Sequence, residues 1–143
     1  MEYPHQNPKV FISHASNDLW VAKQLAKSVR DCGAETFLDA ENIDHGDEFD
    51  EVIINEADNS SEMLVLFTPI ASERKYVWLE IGMFLSARKR IVAVLYGVSK
   101  SDIAKDENTP AVLKKIDSVD LNDVDSYFGQ LSERVKLWRK EDE

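Results

Sequence analysis

The chain has 143 residues, a length that suits one domain spanning 1–143 and that can bury roughly two-thirds of its unfolded surface without staples. Its formal charge of −10 disfavours a nucleic-acid backbone or an anionic membrane surface as partner. The lone cysteine, Cys32, excludes an internal disulfide and suits a reducing, cytoplasmic location. The opening "MEYPHQNPKV" has no basic start followed by an apolar run, so no secretory leader is expected. No stretch reaches the length of a membrane span.

The pattern along the chain alternates. "KVFIS" (9–13) is a short β-forming run that stops at the polar cluster "HASND". Val21, Ala22, Leu25, Val29 and Cys32 then recur at helical spacing, with Ser16 or Asn17 available as a cap and Gly33 where the helix stops. "AETFLD" predicts a second strand ending at Asp39, followed by the loop "AENIDHG". Phe49, Val52, Ile53 and Ala57 mark the face of a second helix. "EMLVLFT" (62–68) is almost wholly apolar and predicts a central strand buried on both faces, ended by Pro69.

A third helix is expected from about Ser72 to Lys89, with Val77, Ile81, Phe84 and Leu85 packed on the sheet. "RIVAVLYG" (90–97) predicts another buried strand. Proline suits the first turn of a short helix at Thr109-Pro110, and "DSVDL" predicts a short edge strand. The last helix, 122–140, carries the stripe Val124, Tyr127, Phe128, Leu131, Val135 and Trp138. Alternating strands and helices imply an α/β fold: a flavodoxin-like, doubly wound parallel sheet in the order 2-1-3-4-5, with helices on both faces. Ligands of such sheets bind beyond the carboxyl ends of the strands, at the switch point between strands 1 and 3. That rule selects Ser13, His14, Asp39, the loop to Gly46, Thr68, Tyr76 and Glu80.

Several chemistries are excluded. "SHASND" lacks the clustered glycines of a phosphate-binding loop. The strand ends carry Ser13-His14 and Thr68 where a phosphotransfer domain needs magnesium-binding acids. His5, His14, His45 and Cys32 show no zinc spacing, so no metal is expected. Ser13 and His14 are adjacent, which points their side chains apart and disfavours a serine triad.

Glu80 sits within "KYVWLEIG", sharing a helix face with Tyr76, Met83 and Ala87 at the border of the core. From spacing alone, a flanking salt-bridge glutamate is the commoner reading and a functional one the rarer. His14 equally suits a turn or a ligand contact. Ser60 reads as a turn residue, Trp78 and Trp138 as packing, and Trp20 as partly exposed. The acidic run "DHGDEFDE" reads as a solvated helix start.

The order "VFISHASND…FLDAENIDHGDEFDEVI…SSEMLVLFTPIASERKYVWLEIGMFLSARKRIVAVLYG" resembles a Toll/interleukin-1 receptor (TIR) domain of the bacterial type, strongly over residues 8–97. "FISH" resembles the box that ends the first strand. Asp39 and "DHGD" (Asp44, His45, Gly46, Asp47) resemble the aspartate and BB loop after the second. Ser60 precedes the third strand, and Glu80-Ile81 resembles the end of the family's W-x-x-x-E helix. Two positions depart from the pattern: Tyr76 stands where tryptophan is usual, and His45-Gly46 where Pro-Gly is usual. Tyrosine still offers a ring, and glycine still permits the unusual backbone.

The resemblance implies an enzyme that cleaves NAD at the nicotinamide–ribose bond in bacterial defence signalling, with Glu80 catalytic. Ser13, His14, Asp39, Thr68 and Tyr76 would then bind substrate, with NAD as substrate and no other cofactor. Nicotinamide leaves as a neutral molecule, so one carboxylate suffices where ordinary glycosidases use two. It also implies homotypic TIR–TIR self-association through the BB loop, 44–47, and a separate sensor or effector protein as a further partner. Two other functions compete. One is a non-enzymatic TIR adaptor working through the BB loop. The other is a nucleoside deoxyribosyltransferase-like enzyme, which would need a base-recognition pocket. Whether the product is linear, cyclic or conjugated ADP-ribose is not written in these residues.

Overall fold

The computed structural model of the chain describes residues 8–38, 49–107 and 116–141. Strands β1 (Lys9–Ser13), β2 (Glu35–Leu38), β3 (Glu62–Phe67), β4 (Arg90–Leu95) and β5 (Asp117–Asp120) form one parallel sheet in the order β2-β1-β3-β4-β5. This is the flavodoxin-like order expected from the alternation of elements. Helices α1 (Leu19–Asp31), α2 (Phe49–Asn59), α3 (Lys75–Ser86), α4 (Lys100–Lys105) and α5 (Asp125–Glu141) accompany it. The helix expected at Thr109-Pro110 lies outside the described residues.

Two cores flank the sheet, and the period of two along each strand divides the side chains between them. Val10 and Ile12 of β1 join Leu64, Leu66, Val92 and Val94 against α1 and α5, through Ala22, Leu25, Val29, Leu131 and Val135. Phe11 joins Phe37, Met63, Val65 and Phe67 against α2 and α3, through Ile53, Ala57, Val77, Ile81 and Phe84. Phe11 is the centre of the second core, its ring 5.1 Å from Phe37 and 5.2 Å from Phe84. Right-handed crossovers require this division, because the chain moves from β1 out to β2 and there reverses its direction of travel across the sheet.

The third helix is shorter than its apolar pattern suggests. A 3-10 turn, Ala71–Glu73, comes first, and Arg74 is extended (φ −95, ψ 117) before α3 begins. The break follows from Thr68, which accepts the Ala71 amide on Oγ1 (3.1 Å) and the Ser72 amide on its carbonyl (3.0 Å). The Trp78 indole, packed edge-on to Phe67, donates to the Ser72 carbonyl at 2.9 Å and fastens that turn to α3. At the other end Arg88 takes a left-handed conformation (φ 57). The Arg88 and Lys89 amides cap the Leu85 and Phe84 carbonyls in a Schellman arrangement. Leu85, expected on the sheet, is 37% exposed, because it falls past the edge of the stripe set by Val77, Ile81 and Phe84. The last helix is likewise preceded by a 3-10 turn, Leu121–Asp123, whose start is capped by the Asp120 carboxylate.

β3 carries one charge that the apolar reading passed over. Glu62, at its start, is buried and accepts from the Tyr127 hydroxyl (2.7 Å) and from Arg134 Nη2 (2.8 and 3.0 Å). Tyr127 and Arg134 lie two turns apart on one face of α5, so a single carboxylate locks that helix to the amino-terminal end of the sheet. Burial holds the Tyr127 phenol far above its usual 10.0, and the adjacent Glu62 charge adds to the effect. The folded chain keeps this proton, while the unfolded chain releases it above the ordinary value. Its stability contribution is therefore complete below pH 10.0 and is lost as pH rises beyond it. Tyr127→Phe should cost about 1–3 kcal/mol at neutral pH. The gap between wild type and variant in urea denaturation should narrow above the ordinary tyrosine pKa. A gap that does not change with pH would contradict this reading.

Candidate active site

The site begins with the pleat of β1. Ser13 lies on the same side of the strand as Phe11, the side covered by α3, whereas Ile12 faces α1. On α3, Val77, Ile81 and Phe84 are buried against the sheet and fix the rotation of the helix. Glu80 is thereby turned inward beside them, with 2% of its surface exposed. The Ser13 hydroxyl donates to Glu80 Oε1 at 2.6 Å. That length is at the short end for an O–H···O bond. Glu80 is thus not a surface charge.

The residues after β1 are tied to the same helix. His14 is buried, and its Nδ1 donates to the Ala15 carbonyl at 2.7 Å. This bond makes Nδ1 the protonated nitrogen, so in the neutral ring Nε2 is the basic one. The Tyr76 hydroxyl donates to the His14 carbonyl and accepts the Ser16 amide, both at 3.1 Å. Ser13 bonds to Glu80 and His14 to its neighbour's backbone, an arrangement unlike a serine triad.

Thr68, buried just past β3, donates to Asp18 Oδ2 at 2.6 Å. The expected caps Ser16 and Asn17 fall instead inside a 3-10 turn, Ser16–Asp18, that precedes α1. Asp18 occupies the N-cap position of α1 but makes no side-chain cap bond, its carboxylate being turned to Thr68. Asp18 is a site residue that sequence reasoning missed. Its position in "HASND", facing the end of β3 across the switch point, was the available signal.

Ser13, His14, Thr68, Tyr76 and Glu80 therefore meet at the carboxyl rim of β1 and β3. Asp39 and the loop residues Asp44, His45, Gly46 and Asp47 lie outside the described residues. Ser60 is buried and its hydroxyl donates to the Glu56 carbonyl at 2.7 Å, which ends α2 rather than touching the rim. Trp78 packs, as expected, and Trp20 is 72% exposed. A groove of about 920 Å³ between α2 and α3 is lined by Ile54, Ala57, Trp78, Leu79 and Met83, and contains none of the rim residues. The rim, not this groove, holds the convergent polar groups. Among the described residues no cluster of His, Cys, Asp or Glu could hold a metal, and no helix is long and apolar enough to cross a membrane.

The Ser13–Glu80 bond should be energetically coupled. Ser13→Ala should cost about 1–3 kcal/mol, the range for a buried hydrogen bond to a charged group. In a double-mutant cycle with Glu80→Gln, followed by urea denaturation, the two effects should fall short of additivity by at least about 0.5 kcal/mol. Additive effects would show that the contact carries no stability.

Comparisons with known proteins bear on the family and the fold. A protein of Brachypodium distachyon named probable 2′ cyclic ADP-D-ribose synthase BdTIR is 28% identical over 97 residues, 66% of this chain. The chain spans 43% of that relative's length. The TIR domain of the Toll-related receptor TRR-2 from Hydra magnipapillata superposes with a TM-score of 0.68 at 23% identity, over 87% of this chain and 94% of that one. A metazoan TIR-STING receptor from C. gigas, solved in complex with 2′,3′-cGAMP, gives 0.71 at 19% identity, over 92% of this chain and 41% of that one. The Clostridium botulinum CMP N-glycosidase BcmB gives 0.57 at 15% identity, over 88% and 98%. The three structural likenesses show the fold. The sequence pattern that defines the TIR domain matches residues 10–135, and this chain belongs to the TIR domain family.

Proposed function

We propose that this chain is a TIR-type NAD glycohydrolase in which Glu80 is the catalytic carboxylate. The observation that carries the reading is the buried Ser13–Glu80 pair, 2.6 Å apart, at the ligand-binding rim of a TIR domain. Holding a carboxylate out of water costs several kcal/mol. Glu62 meets that cost in seating α5, whereas Glu80 meets it at the rim where ligands of this fold bind. The names of two relatives point the same way: one is a probable cyclic ADP-ribose synthase, and the other, alike in fold, an N-glycosidase.

The chemistry suits one acid. The bond between the ribose C1′ and the nicotinamide nitrogen breaks heterolytically, and its electron pair goes to the ring. The ring leaves neutral and needs no proton. Positive charge develops on the ribose, and the Glu80 carboxylate stabilises it in a site of low dielectric. Water adds to C1′ and releases a proton to give ADP-ribose, or a hydroxyl of the substrate itself closes a cyclic product. Ser13 orients Glu80, His14 lines the floor, and the Asp18–Thr68 bond braces the rim. Asp39 completes the ribose contacts in this reading.

With Glu80 at 2% exposure, turnover requires the rim to open. Assembly of copies through the 44–47 loop supplies that opening and makes activity assembly-dependent. Turnover per protomer should then rise with protein concentration, and Gly46→Val should abolish the rise while leaving the circular dichroism spectrum intact. A specific activity that is constant across concentrations would contradict the assembly step. A signalling role in bacterial defence, with a separate sensor protein, follows from the family resemblance.

A second reading, a non-enzymatic adaptor, draws on the exposed Ile54 (50%) and Leu79 (69%) along the α2–α3 groove. Nicotinamide release separates the two. Glu80→Gln should lower kcat by about a hundredfold or more, the scale for losing a central electrostatic group. Chromatography of nicotinamide released from NAD checks it. Wild-type rates in Glu80→Gln would remove the catalytic assignment, and an inert wild type would favour the adaptor.

A further inference from the structure

The sequence assigns the ring of Tyr76 to substrate contact, but the geometry gives its hydroxyl a separate task. That hydroxyl donates to the His14 carbonyl and accepts from the Ser16 amide, so it spans both ends of the segment that leaves β1. Ser16 opens a 3-10 turn, and the amides of an opening turn have no partner within it. Tyr76 satisfies one of them. Tyr76 and Glu80 stand one turn apart on α3, so the same helix face presents both the acid and the tie.

We propose that Tyr76 is a positioning residue. Its hydroxyl clamps residues 14–16 against α3 and so holds the preceding Ser13 hydroxyl on Glu80. The chain of contacts is continuous: Glu80 to Ser13, the Ser13–His14 peptide, the His14 carbonyl to Tyr76, and Tyr76 back along one helical turn to Glu80. This closed circuit fixes the carboxylate relative to the strand end. A tryptophan at this position could donate through its ring N–H but could not accept the Ser16 amide, so the clamp belongs to tyrosine. The consequence for turnover rests on the NAD reading above. The clamp itself does not.

Tyr76→Phe keeps the ring and deletes only the hydroxyl, and Tyr76→Ala deletes both. The clamp predicts that Tyr76→Phe lowers kcat for NAD about ten- to hundredfold, the scale of a misplaced catalytic group, with KM within about twofold of wild type. Phenylalanine should recover little of what alanine loses. Independently of activity, the Ser16 amide of Tyr76→Phe should exchange with deuterium about tenfold faster by NMR, while β3 amides are unchanged. If the Ser16 amide is equally protected in Tyr76→Phe, or if kcat matches wild type, the proposal is overturned. A change confined to KM would return Tyr76 to substrate contact and overturn it as well. If wild type releases no nicotinamide, the NAD reading fails, and the amide exchange alone decides the clamp.

Discussion

A hydroxyl and a carboxylate in contact across the end of a sheet set the character of this molecule. Ser13 closes β1, Glu80 lies on the second turn of α3, and the 2.6 Å between them joins the strand to the helix. Neither group has a structural reason to be apolar, yet both are buried. The pleat of β1 turns Ser13 toward α3, and the apolar stripe Val77–Ile81–Phe84 turns Glu80 toward β1. Each is delivered by the packing of its own element, and the contact then ties the two elements together.

Around this pair the rim is braced from two sides. Thr68 and Asp18 tie the end of β3 to the turn before α1, and Tyr76 ties α3 to the residues after Ser13. Both ties take polar groups that would otherwise cap turns or face water. The opposite end of the sheet is fastened differently, by the Glu62–Tyr127–Arg134 cluster that seats α5. The two ends are therefore fastened by separate polar clusters, the rim being the end where ligands of open α/β sheets bind.

The sheet order, the central strands and both helix stripes are legible in the sequence, because hydrophobic periods of two and of about 3.6 are written residue by residue. The rim residues are legible at one remove: once the order is known, the strand ends name Ser13, His14 and Thr68. The burial of Glu80 is not legible from spacing, since a glutamate beside an apolar stripe can point either way until the helix is docked. The resemblance to a TIR domain, not the pattern, singled out Glu80 as the expected catalytic residue. The 3-10 turn at Ser16–Asp18 is illegible because Asp18 is turned to Thr68, distant in the chain, and that at Ala71–Glu73 because the Thr68 hydroxyl and carbonyl take its first amides. Glu62 was missed because the partners that make its burial tolerable, Tyr127 and Arg134, come from the far end of the sequence.

The proposed chemistry asks little of the protein beyond one fixed negative charge and a shape that admits a ribose. In that reading, one buried carboxylate at the rim is enough for N-glycosyl hydrolysis. That economy also makes the central claim simple to test. Proton NMR of the pure, concentrated protein with NAD should show free nicotinamide growing in step with the loss of the nicotinamide riboside anomeric signal. An NAD spectrum that stays unchanged beside folded, assembled protein would contradict it.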